Sequence, residues 1–158
     1  SLNIVIGGAA GAIPPIIGWT SVTPEISLLP LSMFVIIFFW TPPHFWALSV
    51  YRFNDYAKAK VPMLPNVSSI DETKKQIIYY SVILIASSYL PYIDRGVGLI
   101  YFVIATILNF FLLNNAIKLK KSKEKKSIPN TEGLKFFALT IFYLFSLFAG
   151  LLIDHVIM

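Results

Sequence analysis

Hydrophobic and polar positions along the chain fall into long blocks instead of alternating. Charge-free stretches cover residues 1–24, 26–51, 76–93, 96–117 and 136–153, and only the titratable His44 interrupts the second. Each block is near or above the roughly 18 consecutive apolar residues expected of a helix that crosses a bilayer. The pattern predicts five spans. A membrane β-barrel would show alternating segments of about 10 residues instead, so the predicted fold class is all-α, a polytopic helical membrane bundle with residues 1–158 as one domain.

Prolines and glycines punctuate these blocks. In the first, Gly7 and Gly11 form a small-xxx-small spacing that lets another helix approach closely, or alternatively leaves room for the apolar tail of a ligand against the backbone. Pro14-Pro15 then kinks or interrupts that helix. The second block holds Pro30, Pro42 and Pro43 and predicts a kinked helix. The segment after Pro43, if helical, sets His44, Tyr51 and Asp55 within about 20° of one another on one face, with His44 about 16 Å from Asp55 along the axis. Residues 58–71 read as a loop with Pro62 and Pro65. Asp71-Glu72 read as the acidic first turn of the third span. Residues 91–98 form a tight turn, and Asn109, Asn114 and Asn115 in the fourth span are expected to hydrogen-bond to neighbouring helices. Asp154-His155 ends the fifth span, and the terminal His155, which reads as solvated at the interface, is left outside the candidate site.

Composition confirms the class that the pattern implies. Of 158 residues, 56% are hydrophobic and 13% charged, and the mean hydropathy is +0.72. Such a chain is too apolar for an ordinary soluble domain. The absence of cysteine removes disulfides and thiolate metal sites from consideration. The net charge of +5 reports topology in a membrane protein, and no basic and aromatic interleaving points to nucleic acid. Alternation of spans two to five puts Arg52, Lys58, Lys60, Lys74, Lys75, six lysines within 118–126 and Lys135 on one side, twelve of the thirteen basic residues. Only Arg95 falls on the other. By the positive-inside rule the first side is cytoplasmic and the C-terminus faces outward. The lysine run reads as a solvated loop near an anionic leaflet. The chain enters its first apolar run at Ser1 with no basic leader, which suggests a piece of a longer polypeptide.

The stretch from Trp40 to Val67, WTPPHFWALSVYRFNDYAKAKVPMLPNV, brings ionisable groups next to membrane depth. Such groups are costly there unless partnered or used. Asp55 has Arg52 three residues before it and Lys58 three after, so on a helical exit the three can cluster. They read either as a surface ion pair anchoring the helix, or as a site where Asp55 ligates a diphosphate-borne Mg²⁺ while Arg52, Lys58 or Lys60 neutralise phosphate oxygens. His44 either bonds to a neighbouring helix, with Pro42-Pro43 freeing a carbonyl to receive it, or meets substrate as a polar contact or base. Trp40, Phe45, Trp46 and Tyr51 read as packing and interfacial belt, with faces that can also stabilise a cation.

The TPPHFWAL, YR, DY and PMLP segments, together with GGAAGAIPPIIGW near the start, resemble the haem O synthases, the protohaem farnesyltransferases among the UbiA-type intramembrane prenyltransferases. The resemblance runs through essentially the whole chain in segment order. It implies a bundle of roughly nine helices in the complete enzyme, each near the length a bilayer demands, of which this chain resembles the C-terminal five. It further implies an inner-membrane enzyme that transfers a farnesyl group from farnesyl diphosphate to a vinyl group of haem B with addition of water and release of diphosphate, using Mg²⁺. Carried over position by position, Asp55 matches the acid of the family's second aspartate-containing motif and Arg52 and Tyr56 belong to the same string. His44 matches the histidine after the double proline.

Two departures qualify the match. The superfamily's second motif often carries a pair of acids four apart, and here position 59 is Ala. The family's first Asn/Asp-rich motif belongs to helices preceding Ser1. The resemblance thus implies catalytic roles for His44, Arg52 and Asp55, with Asp55 as the metal ligand. It implies substrate contacts from Arg52, Tyr56, Lys58 and Lys60, and partners that include membrane lipid and the N-terminal helices of the same enzyme, with no nucleic acid. The alternatives are an inactive remnant of such an enzyme and a piece of a membrane transporter, for which the prolines would permit discontinuous helices.

Overall fold

Helices make up every regular element among the described residues, 3–93, 97–123 and 130–157, of a computed structural model. The first apolar block is split between α1 (Asn3–Ala12) and α2 (Pro14–Thr20). Pro14-Pro15 sits at the start of α2, where a missing N–H costs least. Four helices are long and apolar enough to cross a membrane: α3 (Leu28–Tyr51), the pair α6 (Ile70–Ser87) and α7 (Leu90–Ile93) taken as one span, α8 (Leu99–Lys121) and α9 (Thr131–Ile157). Residues 4–20 form a shorter apolar helical stretch. The expectation of five full spans is corrected to four and a shorter, broken one, because the double proline divides the first block.

Helix boundaries follow the local chemistry. Ser69 caps α6 by accepting the backbone N–H of Glu72 on its Oγ at 3.0 Å, and Asp71 and Glu72 occupy the first turn as expected. A cap and acidic residues at this end both offset the unpaired N–H groups and the positive end of the helix dipole. Asn130 does the same for α9, taking the Gly133 N–H at 3.2 Å. Lys118, Lys120 and Lys121 fill the last turn of α8, where cations suit the dipole. Between α3 and α6 lie α4 (Phe53–Lys58), in the segment considered as a helical exit, and α5 (Leu64–Val67), a short helical turn inside the 58–71 stretch expected as a loop.

The long helices form a ring in which α3 packs on α6, α6 on α8, α8 on α9 and α9 back on α3, while α1 and α2 lie against α3. Ile36, Ala47, Ile77, Leu84, Ala105, Leu112, Phe136 and Leu147 are among the residues that fill the centre. Outward positions stay apolar, with Phe145 76% and Phe110 65% exposed. An apolar exterior of this kind suits lipid and not water. Gly133 permits the closest crossing, since a Cβ there would lie 3.0 Å from the Ala47 carbonyl oxygen, so the start of α9 is held against the end of α3.

Several polar side chains inside the ring are paired across helices, although the Trp46 indole N–H has no hydrogen-bond partner among the described residues. Tyr143 OH donates to Asn109 Oδ1 at 2.8 Å, and Asn109 Nδ2 donates to Ser88 Oγ at 2.9 Å. Asn109 therefore behaves as expected. Asn115 does not, because its amide turns back to the Phe111 carbonyl of its own helix. At one end of the ring, Lys74 on α6 donates from Nζ to the Ser122 carbonyl beyond α8 at 2.9 Å, and Lys120 pairs with Asp71. The exits of α3 and α8 and the starts of α6 and α9 gather there, and so do the basic residues of those segments. Arg95, Lys125 and Lys126 lie outside the described residues.

Candidate functional site

The second half of α3 carries the site. Pro42 and Pro43 lie inside the helix and both are buried. They remove the N–H groups that would bond to the carbonyls of Phe38 and Phe39, yet α3 runs unbroken from Leu28 to Tyr51 because α1, α6 and α9 pack along it. His44 follows directly and is 6% exposed.

His44 is fixed on three sides. Its ring stacks on Trp40 with centroids 4.2 Å apart and on Phe137 of α9 at 4.4 Å, and Phe45 meets it edge-on at 5.1 Å. Nδ1 lies 2.7 Å from Thr140 Oγ1. The partner is thus on a neighbouring helix, as one sequence reading had it, but it is a hydroxyl and not a carbonyl freed by Pro42-Pro43. Trp40 Nε1 donates to the Thr140 backbone carbonyl at 2.7 Å, so Thr140 anchors both rings. A buried polar side chain held this way avoids the penalty of an unpaired group.

The expected single face from His44 to Asp55 is not formed. Helix α3 stops at Tyr51, and Arg52 leaves helical geometry with φ −96° and ψ 27°, so α4 does not continue the α3 register. His44 faces inward against α9, whereas the side chains of Arg52 and Asp55 are 57% and 60% exposed. The expected cluster forms in part. Arg52 Nη1 meets Asp55 Oδ2 at 3.0 Å, and the guanidinium lies 5.3 Å from the centre of the Tyr51 ring. The hydrogen bond to the Asp55 carboxylate, with the neighbouring Tyr51 and Asp55 charges, raises the Arg52 pKa further above its ordinary value. Lys58 and Lys60 are exposed and form no ion pair among the described residues. Tyr56 is half-buried.

Lys60 has a particular backbone. After α4 the chain closes with the Lys60 N–H on the Ala57 carbonyl at 3.2 Å and the Val61 N–H on the Tyr56 carbonyl at 3.1 Å. This is the Schellman pattern, which needs a left-handed residue at its centre. Lys60 supplies it with φ 55°, a conformation that favours Gly or Asn.

Asp55 has the chemistry of a Mg²⁺ ligand, an exposed carboxylate beside basic groups. It fits as one ligand. No cluster of three or more His, Cys, Asp or Glu occurs among the described residues.

A groove of about 450 Å³ lies between α1 and α3, lined by Ile4, Gly7, Gly8, Gly11, Ile37, Trp40, Thr41 and Phe45. The glycines divide into two kinds. A Cβ on Gly8 would lie 3.1 Å from Thr41 Cβ, so Gly8 permits helix packing. A Cβ on Gly7 or Gly11 would meet nothing within 4 Å. Those two glycines thus border open space and no close helix crossing among the described residues. Trp40 and Phe45 are common to the groove and to the His44 cage.

Thr140, Phe137 and Asp154 carry roles that sequence reasoning missed. Asp154, read only as the end of the fifth span, is 1% exposed and accepts the backbone N–H groups of Gly98 and Tyr101. A usable signal existed: Gly133, Phe136, Thr140, Tyr143, Leu147, Gly150 and Asp154 recur at intervals of three and four, and all are buried. That spacing marks one helix face, and a polar residue on it calls for a partner.

The model of the UbiA prenyltransferase family matches residues 1–147. The chain is 47% identical to a protoheme IX farnesyltransferase of Pelagibacter ubique over 98% of its own length and 51% of that protein. It is 48% identical to one of Bradyrhizobium diazoefficiens, over 98% of this chain and 49% of the other, and 48% identical to one of Coxiella burnetii, over 97% and 48%. The chain spans about half the length of these curated relatives. No solved structure matches it.

Proposed function

The chain belongs to the UbiA prenyltransferase family, and on that premise we propose that it contributes the His44–Lys60 segment to a membrane enzyme that farnesylates haem B, giving haem O. The relatives' shared name, protoheme IX farnesyltransferase, supports the reaction class. The observation that carries the reading is the course of this one segment, from a caged, buried imidazole at His44 to an exposed Arg52–Asp55 pair and two exposed lysines with no ion pair among the described residues. A farnesyl diphosphate has the same division, with an apolar chain and a charged head.

In this reading Arg52, Lys58 and Lys60 neutralise diphosphate oxygens, Tyr56 contacts the same head group, and Asp55 supplies one carboxylate. Mg²⁺, when bound, would contribute positive charge that stabilises diphosphate as a leaving group. The bond from the farnesyl C1 to diphosphate oxygen breaks, with its electron pair going to diphosphate. A bond then forms from C1 to the terminal vinyl carbon, water oxygen adds to the inner vinyl carbon, and a proton is released. His44 stands on the haem side of this reaction. The apolar rings of Trp40 and Phe45 and the groove they border exclude water from the allylic chain.

The head-group end of the site faces the cytoplasm and the C-terminus faces outward in this proposal. The basic residues gathered at one end of the ring support that orientation through the positive-inside rule. The remaining acids of the metal site and the rest of the cavity come from helices of the same enzyme outside this chain. A transporter reading has no comparable support, since each relative named above is a transferase.

The test uses the intact, relative-length enzyme carrying Asp55→Asn. The Arg52–Asp55 pair is exposed and screened, so stability should hardly change, while haem O formation should fall by about a hundredfold or more, as expected when a carboxylate that would hold the cation stabilising the leaving group is lost. Equal loss of folding and activity, or unchanged turnover, sinks the assignment of Asp55. An enzyme that forms no haem O in its wild-type form sinks the reaction.

A further inference from the structure

We propose that Thr140 is a positioning residue that locks His44 in its Nδ1–H tautomer and leaves Nε2 as a bare lone pair for the reaction. The proposal rests on the reading above that His44 faces the acceptor side. Its geometry is independent of that reading. The Thr140 hydroxyl has one proton, and Oγ1 lies 2.6 Å from the Phe137 carbonyl oxygen, to which it donates. Toward His44 Nδ1, at 2.7 Å, the same oxygen therefore accepts. The proton of that contact belongs to the imidazole.

The ring has no easy alternative. Turning it over would set carbon against Thr140 Oγ1 and forfeit the bond, and Trp40 and Phe137 clamp its two faces at 4.2 and 4.4 Å. Trp40 is itself tied to Thr140 by the indole N–H on the Thr140 carbonyl. Phe137 stands three residues before Thr140 on α9. One turn of α9 thus sets the tautomer, the plane and the stacking partners of an imidazole on α3. Nε2 has no hydrogen-bond partner among the described residues. In the Nδ1–H tautomer it is the one ring atom able to accept a hydrogen bond or a proton from water or substrate.

The experiment uses the intact enzyme, isotopically labelled at its histidine nitrogens and reconstituted in lipid, with His44→Gln identifying the His44 signals by their loss. Wild type and Thr140→Ser should both carry the proton on Nδ1, because Ser retains the accepting hydroxyl. Thr140→Val, isosteric but unable to accept, should move the proton toward Nε2 or mix the tautomers. Haem O formation should be near wild type in Thr140→Ser and about 10- to 100-fold lower in Thr140→Val, the range seen when a supporting hydrogen bond to a functional histidine is removed. A proton on Nε2 in the wild type, or a Thr140→Val enzyme with the wild-type tautomer, overturns the proposal. So does a changed tautomer with unchanged activity. Failure of the wild-type enzyme to make haem O would strike the proposed function instead, and the nitrogen spectra would still decide the tautomer.

Discussion

Asp154, near the end of α9, accepts the backbone N–H of Tyr101 on its Oδ1 at 3.2 Å and so caps the start of α8 from another helix. The second oxygen takes the Gly98 N–H. Helix N-termini leave their first N–H groups without partners, and Gly98 has no side chain to serve them. Asp154→Ala should lower stability by about 1–3 kcal/mol, the cost of leaving buried donors unmet. Asp154→Asn, which keeps one acceptor oxygen, should recover part of the loss. Thermal unfolding in detergent measures both, and an unchanged midpoint for the alanine variant would show that the cap is dispensable.

Gly8 and Gly11 should respond oppositely to the same substitution. Gly8→Ala drives a methyl to within 3.1 Å of the Thr41 Cβ, a branched and backbone-near carbon that cannot swing away. A cost of about 1–3 kcal/mol follows from overpacking. Gly11→Ala points into open space and exchanges the worst non-proline helix former for the best, a gain of up to about 1 kcal/mol. Unfolding midpoints of the two variants check the contrast. Gly11→Leu then fills the groove without touching His44, and should raise KM for farnesyl diphosphate if that groove takes the apolar chain.

The helices were legible because membrane spans declare themselves by block hydrophobicity, although the block ends fall three to six residues from the ends of α6, α8 and α9. The broken first stretch was legible in kind, through Pro14-Pro15, but not in consequence, since block length alone counts it as a span. The site was legible as a list and not as an arrangement. Helical geometry extrapolated past Tyr51 placed His44 and Asp55 on one face, and the non-helical Arg52 undoes that. No local rule requires a break there. Thr140 was invisible for a different reason: its partner is 96 residues away, and an isolated hydroxyl in an apolar helix ordinarily bonds to its own backbone, as Thr140 also does.

Asn109 should contribute through coupling more than through its own removal. It accepts from Tyr143 on α9 and donates to Ser88 beside α6, so its amide ties three helices. Tyr143→Phe and Asn109→Ala, alone and together, form a cycle whose coupling energy should be about 0.6 kcal/mol, and below about 1.7 kcal/mol, as found for hydrogen bonds between membrane helices. A value of zero would mean that Tyr143 finds another acceptor when Asn109 is lost.

Lys60 offers the sharpest separation of fold from function. Its φ of 55° costs a residue with a Cβ about 1–2 kcal/mol relative to the right-handed region, and glycine would occupy the same Schellman position without that cost. A strained backbone at a solvent-exposed lysine is the kind of outlier from which a functional role is inferred. Lys60→Gly should therefore raise the unfolding midpoint while KM for farnesyl diphosphate rises by about tenfold, one decade of affinity. Lys60→Ala removes the same ammonium but keeps the strain, so it should share the KM defect without the gain in stability. If Lys60→Gly stabilises the enzyme and leaves KM unchanged, the lysine is a surface residue and the diphosphate contacts fall to Arg52 and Lys58 alone.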